Sequence, residues 1–463
     1  MNTSVLTAGI ALLHLLGMFA AMHAVTHTRT PQGAIGWALG LLLLPYVTLL
    51  PYLYLGSSRF LGYHPGHAVA PPRAQPEVSP GAAPIAPACA RFSAIGALQG
   101  RPFRSGHRLR LLIDGEAAFR VMLAAMAAAE HCLLVQFFII HDDVLGRRLQ
   151  QVLLQRAAAG VRVCVLFDGV GSHALPQHYI DTLRAGGVAI HRFATHRWRN
   201  RFQLNFRNHR KIVVVDGKRA FIGGLNVGDE YLGLKPPLAP WRDTQLELRG
   251  PAVADLQQLF ADDWRWITGE LPPLLPSPAD GDASALVVAS GPADPLETGS
   301  LFFTAAIHAA RERVWLSTPY FVPDNAVRSA LQLAVLRGVD VRVLIPARPD
   351  HRTVFLASTL HAHHAVRAGI RVFRYQPGFL HQKALLIDRD SAAIGSMNLD
   401  SRSFRLNFEV TALVVDTAFA GAVETMLGED FSRSLAVTEA EYRDAPYLRR
   451  VAMHVARLFD PLL

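Results

Sequence analysis

The chain has 463 residues, 51% of them hydrophobic and 18% charged, with a net charge of +9. So small a charged share, against the ~25% usual in soluble domains, excludes a disordered chain. Three cysteines, Cys89, Cys132 and Cys164, exclude a disulfide scaffold, and their spacing fits no zinc pattern. Of 46 basic side chains only four are lysines: Lys211, Lys218, Lys235 and Lys383. A lysine kept against such a preference for arginine is a candidate for chemistry that arginine cannot do.

The excess hydrophobicity begins at the amino terminus. Residues Ser4–Val25 and Gly33–Leu55 are two apolar runs of about 22 residues, joined by a short polar link containing Arg29. Each is long enough to cross a ~30 Å hydrocarbon core as a helix. The alternative is a cleaved signal peptide, but no Lys or Arg precedes the first run, which exceeds a usual signal core. Residues 1–60 are therefore expected to form a two-helix transmembrane hairpin, with helices at about 4–25 and 33–55. Arg59 and Arg73 beyond the second run weakly favour a cytoplasmic remainder. Residues 61–92, rich in Pro and Ala, read as a flexible linker.

The remainder reads as a duplication. His131–Ile140 is a predicted strand, Gly146–Ala159 a helix and Gly160–Asp168 a strand; Val314–Val322, Asn325–Arg337 and Gly338–Ile345 repeat that order. The expected fold class is α/β, with two pseudo-symmetric halves of mixed or parallel sheets, 93–270 and 285–463, around one active site. A proline-rich joint, 271–284, separates them.

Two matching segments carry the chemistry. His209-Arg-Lys211 runs on to Asp216, Gly224 and Asn226; His381-Gln-Lys383 runs on to Asp388, Ser396 and Asn398. Every matched position is displaced by 172 residues, and two of the four lysines fall in the pattern. A His and a Lys two apart on a strand share one face. The Asp stands where the strand ends, the small pair is expected to let backbone approach a ligand, and the Asn offers an amide donor. Two such segments side by side make a phosphate cradle holding a nucleophile and an acid, with lysine as a compact cation for an oxyanion. The chemistry calls for no cofactor and no metal.

This duplicated His-x-Lys-x4-Asp pattern resembles the phospholipase D superfamily, and nearly the whole chain is similar to the bacterial cardiolipin synthases. Thr30-Pro31, Leu44-Pro45-Tyr46, Trp241-Arg-Asp-Thr244, Thr318-Pro-Tyr-Phe-Val-Pro-Asp324, Asn407-Phe-Glu409 and Arg457–Leu463 carry that likeness. The first motif has Gly-Gly where Gly-Ser is usual. The resemblance implies transfer of a phosphatidyl group between two phosphatidylglycerol molecules through a phosphatidyl-histidine, giving cardiolipin and glycerol. It implies His209 as nucleophile, His381 as general acid and then base, and an inner-membrane, multi-pass location in a bacterium. It also implies that the acids Asp243 and Glu409 orient the other half's histidine, through His381–Asp243 and His209–Glu409 contacts; otherwise they are ordinary strand-end charge.

Three further features stay open. Arg197–Arg207 interleaves arginines with aromatics and suits nucleic acid or anionic head groups; the apolar amino terminus favours lipid and disfavours nucleic acid. His361, His363 and His364 converge too little for a metal and fit helix packing or a polar surface. Leu448–Leu463 either lies against the membrane or packs on its domain. The competing functions are a hydrolytic phosphodiesterase of the same chemistry and a non-enzymatic membrane scaffold.

Overall fold

The computed structural model describes residues 3–28, 30–56, 60–63, 87–193 and 205–463, which fall into two compact units. The smaller holds the apolar amino-terminal segment. Its first helix, Thr3–His27, presents most side chains outward, and Ser4–His27 is long and apolar enough to cross a membrane. The second apolar run is not the single helix expected. It forms Pro31–Leu43 and Pro45–Leu55, broken at Leu44. Pro45 supplies no N–H, and the residue before a proline is pushed out of the helical region; Leu44 accordingly has φ −136° and ψ 55°. Gly17 lies beneath the break, where a Cβ would come within 2.4 Å of the Leu41 carbonyl oxygen.

The larger unit is built on one sheet of sixteen strands, with mixed parallel and antiparallel pairing. Two antiparallel strands meet at its middle, Arg104–Ile113 and Ala283–Ser290. Outward from the first come Thr244–Arg249, Arg219–Gly223, Ile212–Val215, Cys132–Phe137, Arg162–Asp168 and Ala189–Phe193. Outward from the second, the same sequence recurs as Asn407–Val415, Ser391–Gly395, Ala384–Ile387, Arg313–Ser317, Asp340–Pro346 and Arg371–Tyr375. The duplication in the chain is thus a pseudo-twofold in space. The three outermost matched strands of each half pair in parallel, with helical crossovers.

Local sequence explains the elements. Ile212-Val-Val-Val215 is β-branched and buried on both faces, the pattern of an interior strand. Helix Asn325–Leu336 starts where the Asp324 carboxylate accepts from the Val327 N–H at 3.0 Å. The strand expected over Val314–Val322 ends at Ser317 and resumes at Phe321–Val322, interrupted at Pro319. Helices Val253–Thr268 and Thr417–Ser432 lie in a core shared by both halves, which includes Leu134, Leu246, Val287, Leu386 and Val410. Each half also has its own outer core.

Of the linker expected over 61–92, residues 64–86 lie outside those described, and its end is regular structure. Pro87–Phe92 is a 3-10 turn and Ser93–Gln99 a helix, with Cys89, Phe92 and Ile95 buried in the outer core of the second half. Alternation of Pro and Ala hid the two aromatic and aliphatic anchors that hold this stretch. Of the basic-aromatic run Arg197–Arg207, residues 197–204 lie outside those described.

Candidate active site

The two His–Lys pairs do not sit inside regular strands, as spacing alone suggests. His209 and Lys211 follow the two-residue strand Arg207–Asn208 and precede Ile212–Val215; His381 and Lys383 lie likewise between Phe379–Leu380 and Ala384–Ile387. The short lead-in strands bring the halves together. Arg207–Asn208 pairs in parallel with Asn407 and Phe408 of the other half, and the His209 N–H donates to the Phe408 carbonyl at 2.9 Å. Phe379–Leu380 pairs with Trp241–Arg242, and the His381 N–H donates to the Arg242 carbonyl at 2.8 Å. Each histidine is thereby set beside the acid that follows the opposite half's strand residue.

The side chains complete that crossing. His209 Nδ1 stands 3.0 and 2.9 Å from the two Glu409 oxygens, and His381 Nδ1 stands 2.7 Å from Asp243 Oδ2. All four groups are buried. Both contacts expected between the halves are therefore present. A carboxylate only accepts, so Glu409 fixes the His209 proton on Nδ1 and leaves the Nε2 lone pair free.

Electrostatics separates the two pairs. Burial pushes His209 down to about 4, against the pull of Glu409, so its imidazole is neutral near pH 7. Burial also works against charge on Glu409, but His209, Lys211 and the Ser396 hydroxyl together outweigh it and hold the carboxyl below its usual range. Asp243 goes the other way: burial raises it to about 7, against the lowering effect of Lys383. Burial and the neighbouring Lys383 and Lys211 hold His381 well below the usual histidine range. Lys383 is pushed down to about 8 by burial, despite Asp243 and Glu409, and burial lowers Lys211 as well. Lys383 Nζ lies 2.9 Å from each ring nitrogen of His381, while Lys211 Nζ donates to the His209 carbonyl at 2.7 Å. Two lysines destabilised as cations by burial regain that energy when a phosphodiester enters.

The remaining motif residues divide. Asp216 and Asp388, expected with the catalytic set, lie at the far ends of Ile212–Val215 and Ala384–Ile387, away from the histidines. Asp216 accepts from the backbone N–H groups of Glu130, His131 and Cys132, each at 2.8 Å. Asp388 accepts from those of Arg311, Glu312 and Arg313 and from Arg91 Nη1 at 2.7 Å. Burial opposes both charges, but these donors win and lower both carboxyls. Both residues sit at positive φ, 51° and 53°. They pin the start of the neighbouring strand.

Gly224 also has a different reason from the one its spacing suggests. A Cβ there would lie 2.0 Å from Asp243 Oδ1, so glycine makes room for the acid. At the matching place Ser396 donates its hydroxyl to Glu409 and accepts from the Val410 N–H at 3.0 Å. The asparagines differ too. Asn226 accepts from the Ile139 N–H at 3.1 Å and donates to the Tyr231 hydroxyl at 2.8 Å, while the buried Asn398 Oδ1 has no partner among the described residues.

Sequence reasoning passed over the wall of this site. The Phe138 ring stands edge-on to His209 at 4.9 Å, and Trp241 and Tyr231 lie 5.3 and 6.0 Å from the His381 ring. Beneath the motifs, Asp263 accepts from Arg210 Nη1 at 2.8 Å and from Asn208 Nδ2 at 2.8 Å. Asp430 matches it, taking Gln382 Nε2 at 2.9 Å and Arg242 Nε at 3.0 Å. The signal available in the sequence was the pair of unexplained acids on the two matching helices.

The wider comparisons agree with one another. The family profile described as "cardiolipin synthase, PLD-like domain" matches residues 122–264 and 303–431. Cardiolipin synthase A of Pseudomonas aeruginosa (strain LESB58) is 56% identical, over 97% of this chain and 95% of that relative. Cardiolipin synthase A of Pseudomonas putida (strain GB-1) is also 56% identical, over 98% of each. Among solved structures, the phosphatidylserine synthase of Haemophilus influenzae Rd KW20 superposes with a TM-score of 0.59 at 13% identity, covering 81% of this chain and all of that one; at that identity it speaks to fold.

Proposed function

The chain belongs to the phospholipase D-like family of cardiolipin synthases, and on that premise we propose that it is a phosphatidyltransferase making cardiolipin and glycerol from two phosphatidylglycerol molecules. The observation that carries the reading is the crossed pairing of His209 with Glu409 and of His381 with Asp243, at 2.9 and 2.7 Å. It supports one reaction centre built from both halves.

In this mechanism His209 Nε2 attacks phosphorus and the bond to the leaving glycerol oxygen breaks. Neutral His381 delivers its Nε2 proton to that oxygen while its Nδ1 takes the proton held by Asp243, so glycerol departs neutral and Asp243 is left as a carboxylate. His381 Nε2 then takes the proton of a hydroxyl on the second phosphatidylglycerol, and the Nδ1 proton returns to Asp243. The oxygen attacks phosphorus, the phosphorus–nitrogen bond breaks and His209 is restored. Lys211 and Lys383 balance the phosphoryl oxygens throughout, while Glu409 steadies the imidazolium character that grows on His209. Asn226 Nδ2 is engaged with the Tyr231 hydroxyl, which leaves the Asn398 amide N–H as the asparagine donor to phosphate in this reading.

The Ser4–His27 helix and the family suit a membrane-associated enzyme. The finer reading is a multi-pass protein of the bacterial inner membrane, with both apolar runs in the bilayer and the larger unit on the cytoplasmic side. The test is to give the enzyme phosphatidylglycerol carrying label in glycerol and phosphate and to separate the products. Cardiolipin with one free glycerol per molecule is expected. Phosphatidic acid as sole product makes water the acceptor and overturns the transferase reading.

A further inference from the structure

The carboxyl-terminal helix Tyr447–Arg457 presents two apolar faces, and the fold uses one. Met453 and Ala456 are buried, Ala456 against Val322 and Ala357. The helix is held further by His361 Nε2, 2.8 Å from Asp460 Oδ2, and by the Tyr442 hydroxyl, 2.9 Å from His454 Nε2. The second stripe faces outward. Leu448 and Leu458 are 78% and 77% exposed, and Val451, Val455 and Phe459 are exposed between and beyond them. These positions recur at three- and four-residue intervals, so they share one side of the helix and its last turn. Arg449 and Arg457 of the same helix are exposed on other sides of it, and Tyr447 stands exposed at the start of the stripe.

We propose that this outer face of Tyr447–Arg457 lies in the surface of an anionic phospholipid bilayer. Three observations favour lipid over another protein. The helix that carries the apolar stripe also carries exposed arginines, long enough to reach round to anionic head groups. The same chain carries a helix long and apolar enough to enter a bilayer. The inner face packs on Val322, two residues beyond Tyr320 of the interrupted strand that Asp350 joins to the site: Asp350 accepts from the Tyr320 hydroxyl and acts electrostatically on both His381 and Lys383. A helix seated in head groups at this place sets the neighbouring site at the depth where phosphodiesters lie. The inference rests on reading the chain as an enzyme of anionic phospholipid.

The test uses the full chain in phosphatidylglycerol-containing vesicles. Cys89, Cys132 and Cys164 are buried, so a cysteine introduced by Val455→Cys takes an environment-sensitive thiol dye selectively. Leu448→Cys serves as a second position. Leu336→Cys is the comparison, since Leu336 is 81% exposed but precedes Asp340–Pro346 at the strand end away from the site. Quenching by acyl-chain nitroxides is expected to be several-fold stronger at 455 and 448 than at 336. It should fall when zwitterionic lipid replaces phosphatidylglycerol, or in the Arg449→Gln, Arg457→Gln background. Equal quenching at all three positions overturns the proposal. So does dye protection that follows protein concentration in detergent, which assigns the face to a second copy of the chain. Cardiolipin formation by the unlabelled chain in the same vesicles reads the proposed function separately. Product without quenching sinks only the docking, and quenching without product sinks only the function.

Discussion

The two halves of the larger unit share a frame and differ where chemistry is done. Strand order, the lead-in strands and the aspartates that pin Cys132–Phe137 and Arg313–Ser317 are repeated almost place for place. The groups around each histidine are not. His209 faces a Glu that also takes the Ser396 hydroxyl, and its acid is held charged. His381 faces an Asp raised to about 7, with Lys383 against its ring and aromatic side chains around it. The buried arginine that neutralises each helix acid also comes from different places: Arg210 within the first motif, but Arg242 from across the junction for Asp430. Symmetry built the cradle, and departures from it give the two histidines different surroundings.

The largest effects should break the comparison outright. His209→Ala and His381→Ala are each expected to lower turnover by about 10⁵–10⁶-fold, the scale seen when a nucleophile or its base is removed. Normal activity in either variant would end the shared-site account. Next come Glu409→Gln and Asp243→Asn, each expected to cost about 10³–10⁴-fold in kcat while substrate binding changes little. Their stabilities should differ in sign. Asp243 is raised in the fold, so it favours the folded state at low pH and that contribution is lost as pH rises through about 7. Asp243→Asn should therefore gain in Tm relative to wild type as pH moves from 5 to 8; Glu409→Gln, whose acid is lowered, should not.

Smaller effects sharpen the contrast. Gly224→Ser should cost activity through the clash at Asp243, measurable as about 10- to 100-fold in kcat, whereas Ser396→Gly removes one hydrogen bond to Glu409 and should cost less. Lys383, lowered to about 8, is a cation below that value, so kcat/KM should fall as pH rises past it. A profile flat to pH 10 would remove Lys383 from phosphate binding. Smallest on chemistry is Asp216→Ala. It strands three backbone donors and should destabilise the fold by about 1–3 kcal/mol, read by denaturant unfolding, with activity of the folded fraction little changed.

Much of this was legible in the chain. The 172-residue displacement of His, Lys, Asp and Asn announced two equivalent halves, and the scarcity of lysine singled out Lys211 and Lys383. What escaped depends on distant neighbours. Nothing local in His209–Asp216 says that Asp216 meets Glu130–Cys132. Gly224 is small because of Asp243, nineteen positions later, and that requirement shows only once Arg219–Gly223 and Thr244–Arg249 are paired. Tyr231 was invisible because its hydroxyl matters only through Asn226. Hydropathy saw one apolar run in Gly33–Leu55, but Pro45 divides it.

The most direct test of the central claim is to catch the covalent enzyme. Wild type turning over phosphate-labelled phosphatidylglycerol is stopped in alkaline denaturant, which spares the acid-labile phosphorus–nitrogen bond, and the labelled peptide is mapped. The account predicts a phosphatidyl group on His209, linked through Nε2, that disappears in His209→Ala. Label on His381, or equal label on both histidines, would contradict the division of roles between the halves.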